Sequence, residues 1–404
     1  MKNILFIALL VLGICNTSYG QNRSIKFEKG TWKEVLKKAK KQNKLVFLDC
    51  YTSWCGPCKK LAAEVFTNDA VADYYNVHFI PMQMDMEKGE GKELMEVFQI
   101  QAFPTLLYVD WEGNIQHKVV GYCDPEELIK MGKKALDADH NYAALIKRYE
   151  IGDREISFVR EYLEVLAEGY EKEKLWKATQ EYLEGLDDST FYSKETWKYI
   201  DNGLANPLSS AFQRLIDGKE KFYSLVGQKA VDKKLESVLA VAVSSVTGIS
   251  PLGEAHPFRE KEYQRLLEFL RDLPLDMASR YLAEMNIAKC IHDEDYTEML
   301  EHINIVLDYN IFGERGSLSY VLRYVPYLSK AKEPETVKKA ITLIDGLMPS
   351  MKHPLQESRM LEQKAILLEN IGETEQATSI HAEAKAAEEK GEKMIMERMK
   401  SNKK

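Results

Sequence analysis

Apolar and polar positions follow two different patterns along the chain, and the change comes near residue 137. From residue 24 to residue 137, short apolar runs suited to buried strands alternate with segments of helical periodicity. Strands are predicted over residues 45–49, 77–85, 105–109 and 115–120, the last two forming a hairpin around residues 112–114. Helices are predicted over residues 31–39, 59–66, 68–75, 92–98 and 124–136. This alternation predicts an α/β domain with a sheet at its centre.

The rest of the chain, residues 138–404, has helical periodicity interrupted by short breaks, and no strand pattern stands out. We therefore expect an all-α domain in this part. The breaks are predicted at glycines and prolines: Gly152, Gly185, Pro207, Gly218, Gly248, Pro274, Gly313 and Pro334. The longest loop is predicted over residues 251–257, which contain a proline at each end.

The last helical hairpin centres on Gly372 and resembles one tetratricopeptide repeat in its spacing of small and apolar residues. The residues that carry this likeness are Leu361, Ala365, Leu368, Ala377 and Ala384. Small residues also occur wherever paired helices touch, so an array without strict repeats is favoured over a solenoid of such repeats. Residues 385–404 are charged and are predicted to form a helix in solvent. The aromatic residues of this region are expected to fill its core, with a ligand groove as the alternative: Trp176, Trp197, Tyr182 and Tyr199.

The N-terminus has the features of a secretory signal peptide. A lysine at position 2 precedes an apolar run over residues 4–14, which is short for a membrane span. Small residues at Ser18 and Gly20 predict cleavage before Gln21. We therefore expect three segments, namely a signal peptide over 1–20, an α/β domain over 21–137 and a helical domain over 138–404, in a periplasmic or secreted protein. An uncleaved anchor is the alternative, and a lipid anchor on Cys15 is disfavoured because Ile14 precedes it.

Composition excludes few functions. Hydrophobic residues make up 45% of the chain and charged residues 29%, as in ordinary globular domains. The net charge of −8 argues against a nucleic-acid partner, because nucleic-acid binders usually present a basic face.

The cysteines cluster in one part of the chain. Of six, Cys50, Cys55, Cys58 and Cys123 lie in the first third of the mature chain, and Cys290 stands apart. This distribution does not resemble a disulfide framework. Cys50, Cys123 and Cys290 are interpreted as buried small apolar residues, although Cys50 and Cys123 are also conceivable redox partners.

Cys55 and Cys58 stand where a buried strand gives way to a helix. A cysteine at a helix N-terminus ionises more easily, because the free N–H groups and the helix dipole favour negative charge. Cys58 follows one turn later on the same face, within disulfide reach of Cys55, and Pro57 is tolerated in a first turn. A zinc site is the alternative, but a second ligand pair is not evident, since Cys123 and His117 do not form one. A permanent structural disulfide is a further alternative. The eight histidines are scattered, and none is assigned a role.

The segment Trp54-Cys55-Gly56-Pro57-Cys58-Lys59 resembles the active site of thioredoxins. Further residues match at family spacing: Asp49 a buried carboxylate, Phe103-Pro104-Thr105 the cis-proline segment, and Gly121 a glycine of the substrate surface. Residues 63–71 are similar to a periplasmic branch that includes soluble domains receiving electrons from membrane reductant carriers. The resemblance covers residues 24–137 and implies a thioredoxin fold, with a mixed central sheet flanked by helices.

The resemblance also implies roles for these residues. Cys55 and Cys58 would carry out thiol–disulfide exchange through a mixed disulfide, with Asp49 as the base for Cys58. The implied substrate surface consists of Trp54, Gly56, Pro57, Phe103, Pro104 and Gly121. The implied substrates are protein thiols and disulfides, the implied electron donor is a membrane protein, and no cofactor or metal beyond the Cys55–Cys58 disulfide is expected.

Two departures from the thioredoxin pattern bear on this interpretation. The lysine that pairs with the buried carboxylate in many thioredoxins has no obvious counterpart, since Pro81 or Met82 falls near its place. Tyr51 replaces the second active-site tryptophan.

The leading functional hypothesis is a secreted disulfide reductase, because Gly56-Pro57 is typical of reducing thioredoxins. One alternative is an interaction protein whose helical domain binds a partner. Another is a disulfide isomerase.

Overall fold

A computed structural model describes residues 23–248 and 257–401. The predicted signal peptide, its cleavage site and Cys15 lie outside these residues, as does most of the predicted loop at 251–257. The chain divides into two compact units that separate between Ala205 and Asn206. Within the described ranges, no helix is both long enough and apolar enough to cross a bilayer.

A four-stranded mixed sheet lies at the centre of the first unit, with the strand order β2-β1-β3-β4. The strands are β1 (Leu45–Tyr51), β2 (Phe79–Asp85), β3 (Thr105–Val109) and β4 (Ile115–Val120). β1 runs parallel to β2 and antiparallel to β3, and β3 pairs antiparallel with β4. This confirms the predicted fold class, and β3 and β4 have the predicted bounds.

Five helices surround the sheet, and most begin at residues whose side chains cap them. They are α1 (Trp32–Gln42), α2 (Gly56–Lys60), α3 (Asp69–His78), α4 (Glu90–Val97) and α5 (Pro125–Leu136). Thr31 and Asp124 form capping boxes, in which each side chain satisfies one otherwise free backbone N–H. A π-helical turn, Leu61–Val65, continues α2.

The predicted strand over residues 77–85 began two residues too early. Val77 and His78 belong to α3, and β2 starts at Phe79. Asn68 caps α3 through its side chain, and the ring of His78 packs against that of Tyr74 one turn earlier, with centroids 4.4 Å apart. These helical contacts outweigh the alternating pattern that extends the strand in the sequence.

The sheet is buried on both faces, which explains why β1 is an almost continuous apolar run. One face packs on a cluster that includes Phe47, Tyr75 and Tyr108, and the other on a cluster that includes Leu48 and Met82. The buried Asp49 in β1 is therefore an exception that needs a separate explanation.

The first unit continues beyond α5 with five more helices. They are α6 (Tyr142–Glu150), α7 (Ile156–Glu168), α8 (Lys172–Glu184), α9 (Asp188–Phe191) and α10 (Lys194–Gly203). α6 and α7 pack against β4, the edge strand of the sheet. The ion pair between Lys118 Nζ and Glu171 Oε1, at 2.9 Å, joins β4 to the start of α8. The first helices after residue 137 thus cover one edge of the α/β part.

The second unit is helical throughout its described residues. Its helices are α11 (Ser210–Asp217), α12 (Lys219–Val226), α13 (Gln228–Thr247), α14 (Glu260–Asp272), α15 (Leu275–Asp293), α16 (Tyr296–Asp308), α17 (Glu314–Leu328), α18 (Pro334–Leu347), α19 (Pro354–Asn370) and α20 (Thr374–Ser401). Gly248 ends α13 and Gly313 precedes α17, as predicted. α19 and α20 form the predicted hairpin at Gly372, whose positive φ of 82° suits a glycine.

The expectation that four aromatic residues fill the helical core is wrong for Trp176. Tyr182 and Tyr199 are buried and Trp197 is half-buried, but 40% of Trp176 is exposed. The buried face of α8 carries Leu175, Thr179 and Tyr182. Trp176 lies outside this face, because the spacing of the buried positions follows the helical period.

Candidate functional site

The Cys-Gly-Pro-Cys segment follows β1 and forms the N-cap and first turn of α2. Cys55 is the N-cap residue of α2, and its backbone N–H donates to the carbonyl of Thr52 at 3.2 Å. Pro57 occupies the first turn, where its missing N–H removes no intrahelical bond. The local sequence thus places the first cysteine at a helix N-terminus, as the pattern predicted.

Cys55 and Cys58 form a disulfide with an S–S distance of 2.01 Å. The backbone N–H of Cys58 donates to Cys55 Sγ at 3.1 Å, so this sulfur already accepts one of the free N–H groups of the first turn. Both residues are nearly covered, with 3% of Cys55 and 5% of Cys58 exposed. In the reduced state the same N–H would face a Cys55 thiolate, which a helix N-terminus stabilises.

Trp54, immediately before the first cysteine, projects into solvent with 65% of its surface exposed. Its indole Nε1 donates to Glu87 Oε1 at 3.0 Å, and its ring meets that of Phe103 edge to face, with centroids 6.1 Å apart. The structure thus brings the cysteine turn together with the loop before β3. Sequence analysis missed Glu87, because a residue 33 positions away gives no local signal.

The segment Phe103-Pro104 contains a cis peptide bond, as the resemblance implied. The backbone N–H of Gly121 donates to the carbonyl of Pro104 at 2.9 Å, which joins the end of β4 to this loop. Gly121 has a φ of +107°, a conformation that favours glycine. No other atom lies within 4 Å of a Cβ added there, nor of one added at Gly56. Both glycines therefore face open space.

Asp49 is the buried acid of this region, with 2% of its surface exposed. Its Oδ2 accepts a hydrogen bond from Gln83 Nε2 at 2.9 Å, and none of the described residues donates to Oδ1. Burial raises the pKa of Asp49 from 3.8 to about 7, and the bond from Gln83 offsets this only in part. Gln83 thus donates to the carboxylate that pairs with a lysine in many thioredoxins. Sequence analysis missed Gln83.

The remaining cysteines that the structure describes are buried, as predicted: Cys50, Cys123 and Cys290. Burial raises the pKa of Cys50 well above its usual value and raises that of Cys123 to about 12. Burial likewise raises the pKa of Cys290 to about 12. A thiol that stays protonated at neutral pH is a poor nucleophile, so the reactive pair is Cys55 and Cys58.

A small polar cluster borders the cysteine turn. The ammonium group of Lys60 lies 4.6 Å from the ring centroid of Tyr122, and the Tyr122 hydroxyl donates to Glu64 at 3.4 Å. Tyr122 directly follows Gly121 and is 40% exposed. These residues were not among the predicted site residues, and only the fold brings them together.

Comparison with known proteins identifies the first part of the chain. The family model of a thioredoxin-like domain matches residues 32–136. Thioredoxin H1 of Arabidopsis thaliana is 40% identical over 91 residues, which are 22% of this chain and 74% of that protein. The thiol:disulfide interchange protein DsbD of Actinobacillus pleuropneumoniae is 32% identical over 92 residues, which are 16% of DsbD and 22% of this chain.

One solved structure has a higher sequence identity to this chain than these two proteins. It is the solution structure of a Bacteroides thetaiotaomicron protein provisionally described as a disulphide-isomerase. It is 44% identical, and the match covers 29% of this chain and 98% of that one, with a TM-score of 0.28.

Proposed function

This chain belongs to the thioredoxin-like family of thiol-disulfide oxidoreductases, and we propose that it acts outside the cytoplasm as a reductase of protein disulfides. The observation that carries the proposal is the Cys55–Cys58 disulfide at the N-terminus of α2. The exposed Trp54 and the Phe103-Pro104 segment lie beside it and provide a surface on which an extended polypeptide can bind.

The first step of the proposed mechanism is attack by the Cys55 thiolate on one sulfur of a substrate disulfide. A bond forms between Cys55 Sγ and that sulfur, the substrate disulfide breaks, and the second substrate sulfur leaves as a thiolate. The N-terminus of α2 stabilises the negative charge of the Cys55 thiolate that begins the reaction. The backbone at Phe103 pairs with the substrate and holds the disulfide in line for attack.

The second step releases the substrate. Cys58 passes its proton to Asp49, directly or through water, and its sulfur attacks Cys55 Sγ. The Cys55–Cys58 disulfide forms, and the substrate sulfur leaves as a thiolate that takes up a proton. Two electrons have then passed from the dithiol to the substrate. The raised pKa of Asp49, about 7, suits a group that accepts a proton near neutral pH.

The proposed direction of electron transfer and the proposed cellular compartment are supported by different observations. The Gly56-Pro57 dipeptide is typical of thioredoxins, whose reduction potential is about −270 mV, whereas that of strong periplasmic oxidants is about −120 mV. The predicted signal peptide supports an extracytoplasmic site. A reductase in an oxidising compartment has to be re-reduced, and the resemblance of residues 63–71 to the periplasmic branch supports a membrane dithiol donor.

An insulin-reduction assay with dithiothreitol tests the activity. Wild type and Cys290→Ser are expected to precipitate the insulin B chain at the same rate, while Cys55→Ser and Cys58→Ser lose the acceleration. Equal rates in all four proteins would contradict the proposal. Expressing Cys58→Ser in the native cell would then trap substrates on Cys55. Efficient rescue of scrambled ribonuclease with little insulin reduction would instead indicate an isomerase.

A further inference from the structure

A groove of about 500 Å³ lies between the α/β part and the first helices that follow it, within the first compact unit. One wall is formed by the end of α4, by the segment that precedes the cis proline and by β4. The other wall is formed by Tyr142 of α6, by residues 170–174 around the start of α8 and by Trp176. A thioredoxin-sized domain without the helical extension would lack the second wall. We call it the Trp176 groove.

The Trp176 groove is continuous with the proposed substrate surface. Ala102 and Thr105 line it, and they flank Phe103-Pro104 on both sides. The hydroxyl of Thr105 donates to the Ala102 carbonyl at 2.7 Å, which holds this loop closed on itself. Val120, directly before Gly121, also lines the groove and pairs with Thr105 across the sheet. The groove therefore adjoins the proposed substrate surface at the start of β3 and at the end of β4.

The walls of the groove expose apolar and aromatic side chains. Val97 is 69% exposed on one side, and Trp176 and Tyr170 are about 40% exposed on the other. Large apolar side chains left in water on two facing walls form an effective binding site for another apolar side chain. Trp176, which was expected in the helical core, is thus available to contact a ligand.

The charged residues of the groove are largely paired with each other. Lys118 is only 7% exposed and pairs with Glu171 at 2.9 Å, and Lys174 lies 3.8 Å from the same carboxylate. Lys172 lies over the ring of Tyr170, 4.1 Å from its centroid. Glu173 also lines the groove, so its three lysines and two glutamates nearly balance in charge. We therefore expect the apolar contacts to decide what binds.

We propose that the Trp176 groove binds the polypeptide of the disulfide substrate, taking an aromatic or large aliphatic side chain a few residues from the reacting cysteine. The proposal rests on the proposed function and names its substrate class: extended, uncharged segments with an apolar residue near the disulfide. The helical extension thereby contributes to substrate selection. Trp176, Tyr170 and Val97 are specificity-determining residues in this scheme.

Synthetic peptides with one cysteine, activated as a mixed disulfide with thionitrobenzoate, provide the test. Each peptide carries Phe or Ala at one position on either side of the cysteine, and attack by Cys55 in the Cys58→Ser protein releases the coloured thionitrobenzoate. At one or more positions, Phe should raise the second-order rate constant of this single turnover by about fivefold or more, through tighter peptide binding rather than a faster maximal rate. Burial of an aromatic side chain is large enough to supply this factor.

Two variants on opposite walls, each in the Cys58→Ser background, link this preference to the groove. Trp176→Ala and Val97→Asp should react equally with the Phe and Ala peptides, whereas Tyr309→Ala, which alters a 78% exposed tyrosine of the second unit, should keep the preference. Urea unfolding checks that each variant is folded. Equal rates for Phe and Ala peptides at every position in the parent, or a preference that survives both groove variants, would overturn the proposal. Failure of the proposed function would differ, because wild type would then not accelerate insulin reduction, whatever preference the peptides show.

Discussion

The amide Nε2 of Gln83 donates a 2.9 Å hydrogen bond to Oδ2 of Asp49 across the parallel pairing of β1 and β2. The register places the two residues directly opposite each other, inside a sheet that is covered on both faces. One neutral donor stabilises a buried carboxylate much less than a lysine would. The pKa of Asp49 therefore stays near 7, close to the pH at which a proton acceptor for Cys58 is most effective.

Replacing Asp49 by Asn should slow the release of substrate from Cys55 by about 10²-fold near neutral pH, the usual range for loss of a general base. Asp49 accepts a proton only when ionised, so the wild-type rate should rise with pH through about 7 and then level off. Asp49→Asn should lack this step. Stopped-flow release of a reduced peptide from the Cys55 mixed disulfide measures the rate.

Gln83→Leu is the matched control for this experiment, because it keeps the carboxylate but removes its hydrogen-bond donor. The pKa of Asp49 should rise further, and the midpoint of the pH profile should move up with it. A profile unchanged in both variants would exclude Asp49 as the proton acceptor.

His117 in β4 is another buried titratable group of the sheet, with no exposed surface. Its Nδ1 accepts the backbone N–H of Tyr142 at 3.3 Å, which requires that nitrogen to be unprotonated. Glu168 Oε2 lies 4.0 Å from Nε2, but Lys134 is 3.0 Å from the same oxygen and already compensates its charge. Burial, with a smaller effect of Lys134, lowers the pKa of His117 from 6.5 to about 3.

Asp49 and His117 should affect stability with opposite dependence on pH. Asp49 ionises near 3.8 when unfolded but near 7 when folded, so the folded state loses up to about 4 kcal/mol as pH rises through this window. His117 is protonated below 6.5 when unfolded but only near 3 when folded, so the folded state loses up to about 5 kcal/mol as pH falls. Between about pH 4 and 6.5 the two contributions therefore change the free energy of unfolding by nearly equal and opposite amounts.

Urea unfolding of oxidised Asp49→Asn and His117→Phe at several pH values separates these effects. The free energy of unfolding of Asp49→Asn relative to wild type should increase as the pH is raised from 4 to 8, because only wild type has to ionise a buried acid. The free energy of unfolding of His117→Phe relative to wild type should be highest at pH 4 and lowest at pH 8. A constant difference across this range in either variant would show that the residue does not titrate as described.

The pair formed by Lys118 and Glu171 should stabilise the attachment of α8 to β4. Glu171→Gln leaves a nearly buried ammonium without its counter-ion and should cost about 3 kcal/mol in the free energy of unfolding. Adding Lys118→Met should recover most of this loss, since replacing both charges is often neutral. Glu173→Gln, on an exposed neighbour, is the control and should change stability by less than about 0.5 kcal/mol.

Tyr75 and Tyr108 share a hydrogen bond at the centre of the sheet core. Their hydroxyl oxygens are 2.5 Å apart, and the Tyr75 hydroxyl donates to the Leu128 carbonyl at 2.7 Å, so Tyr108 donates to Tyr75. Tyr75→Phe removes two bonds and leaves the buried Tyr108 hydroxyl without its acceptor, so it should cost about 2–3 kcal/mol, while Tyr108→Phe removes one bond and should cost about 1 kcal/mol. In urea unfolding, the double variant should be more stable than the sum of the two losses implies. Strict additivity would contradict the bond.

Much of the α/β part was readable from the sequence, because its signals act over a few residues. The hairpin of β3 and β4 follows from two apolar runs around a turn, and α5 follows from a capping Asp124 and the first-turn Pro125. The helix-terminal position of Cys55 follows in the same way. Where two local patterns compete, as at Val77, the sequence alone predicted the wrong element.

Other features depend on residues that are distant in the sequence. Gln83 became the partner of Asp49 because strand register places them opposite each other, and His117 stays uncharged because α6 packs on β4. Trp176 faces a groove with Val97 because Glu171 binds Lys118 at the start of α8. Periodicity and capping are set by neighbours a few positions apart, and the sequence determined them by itself. Register and helix packing join residues tens of positions apart, and only the tertiary structure decided them.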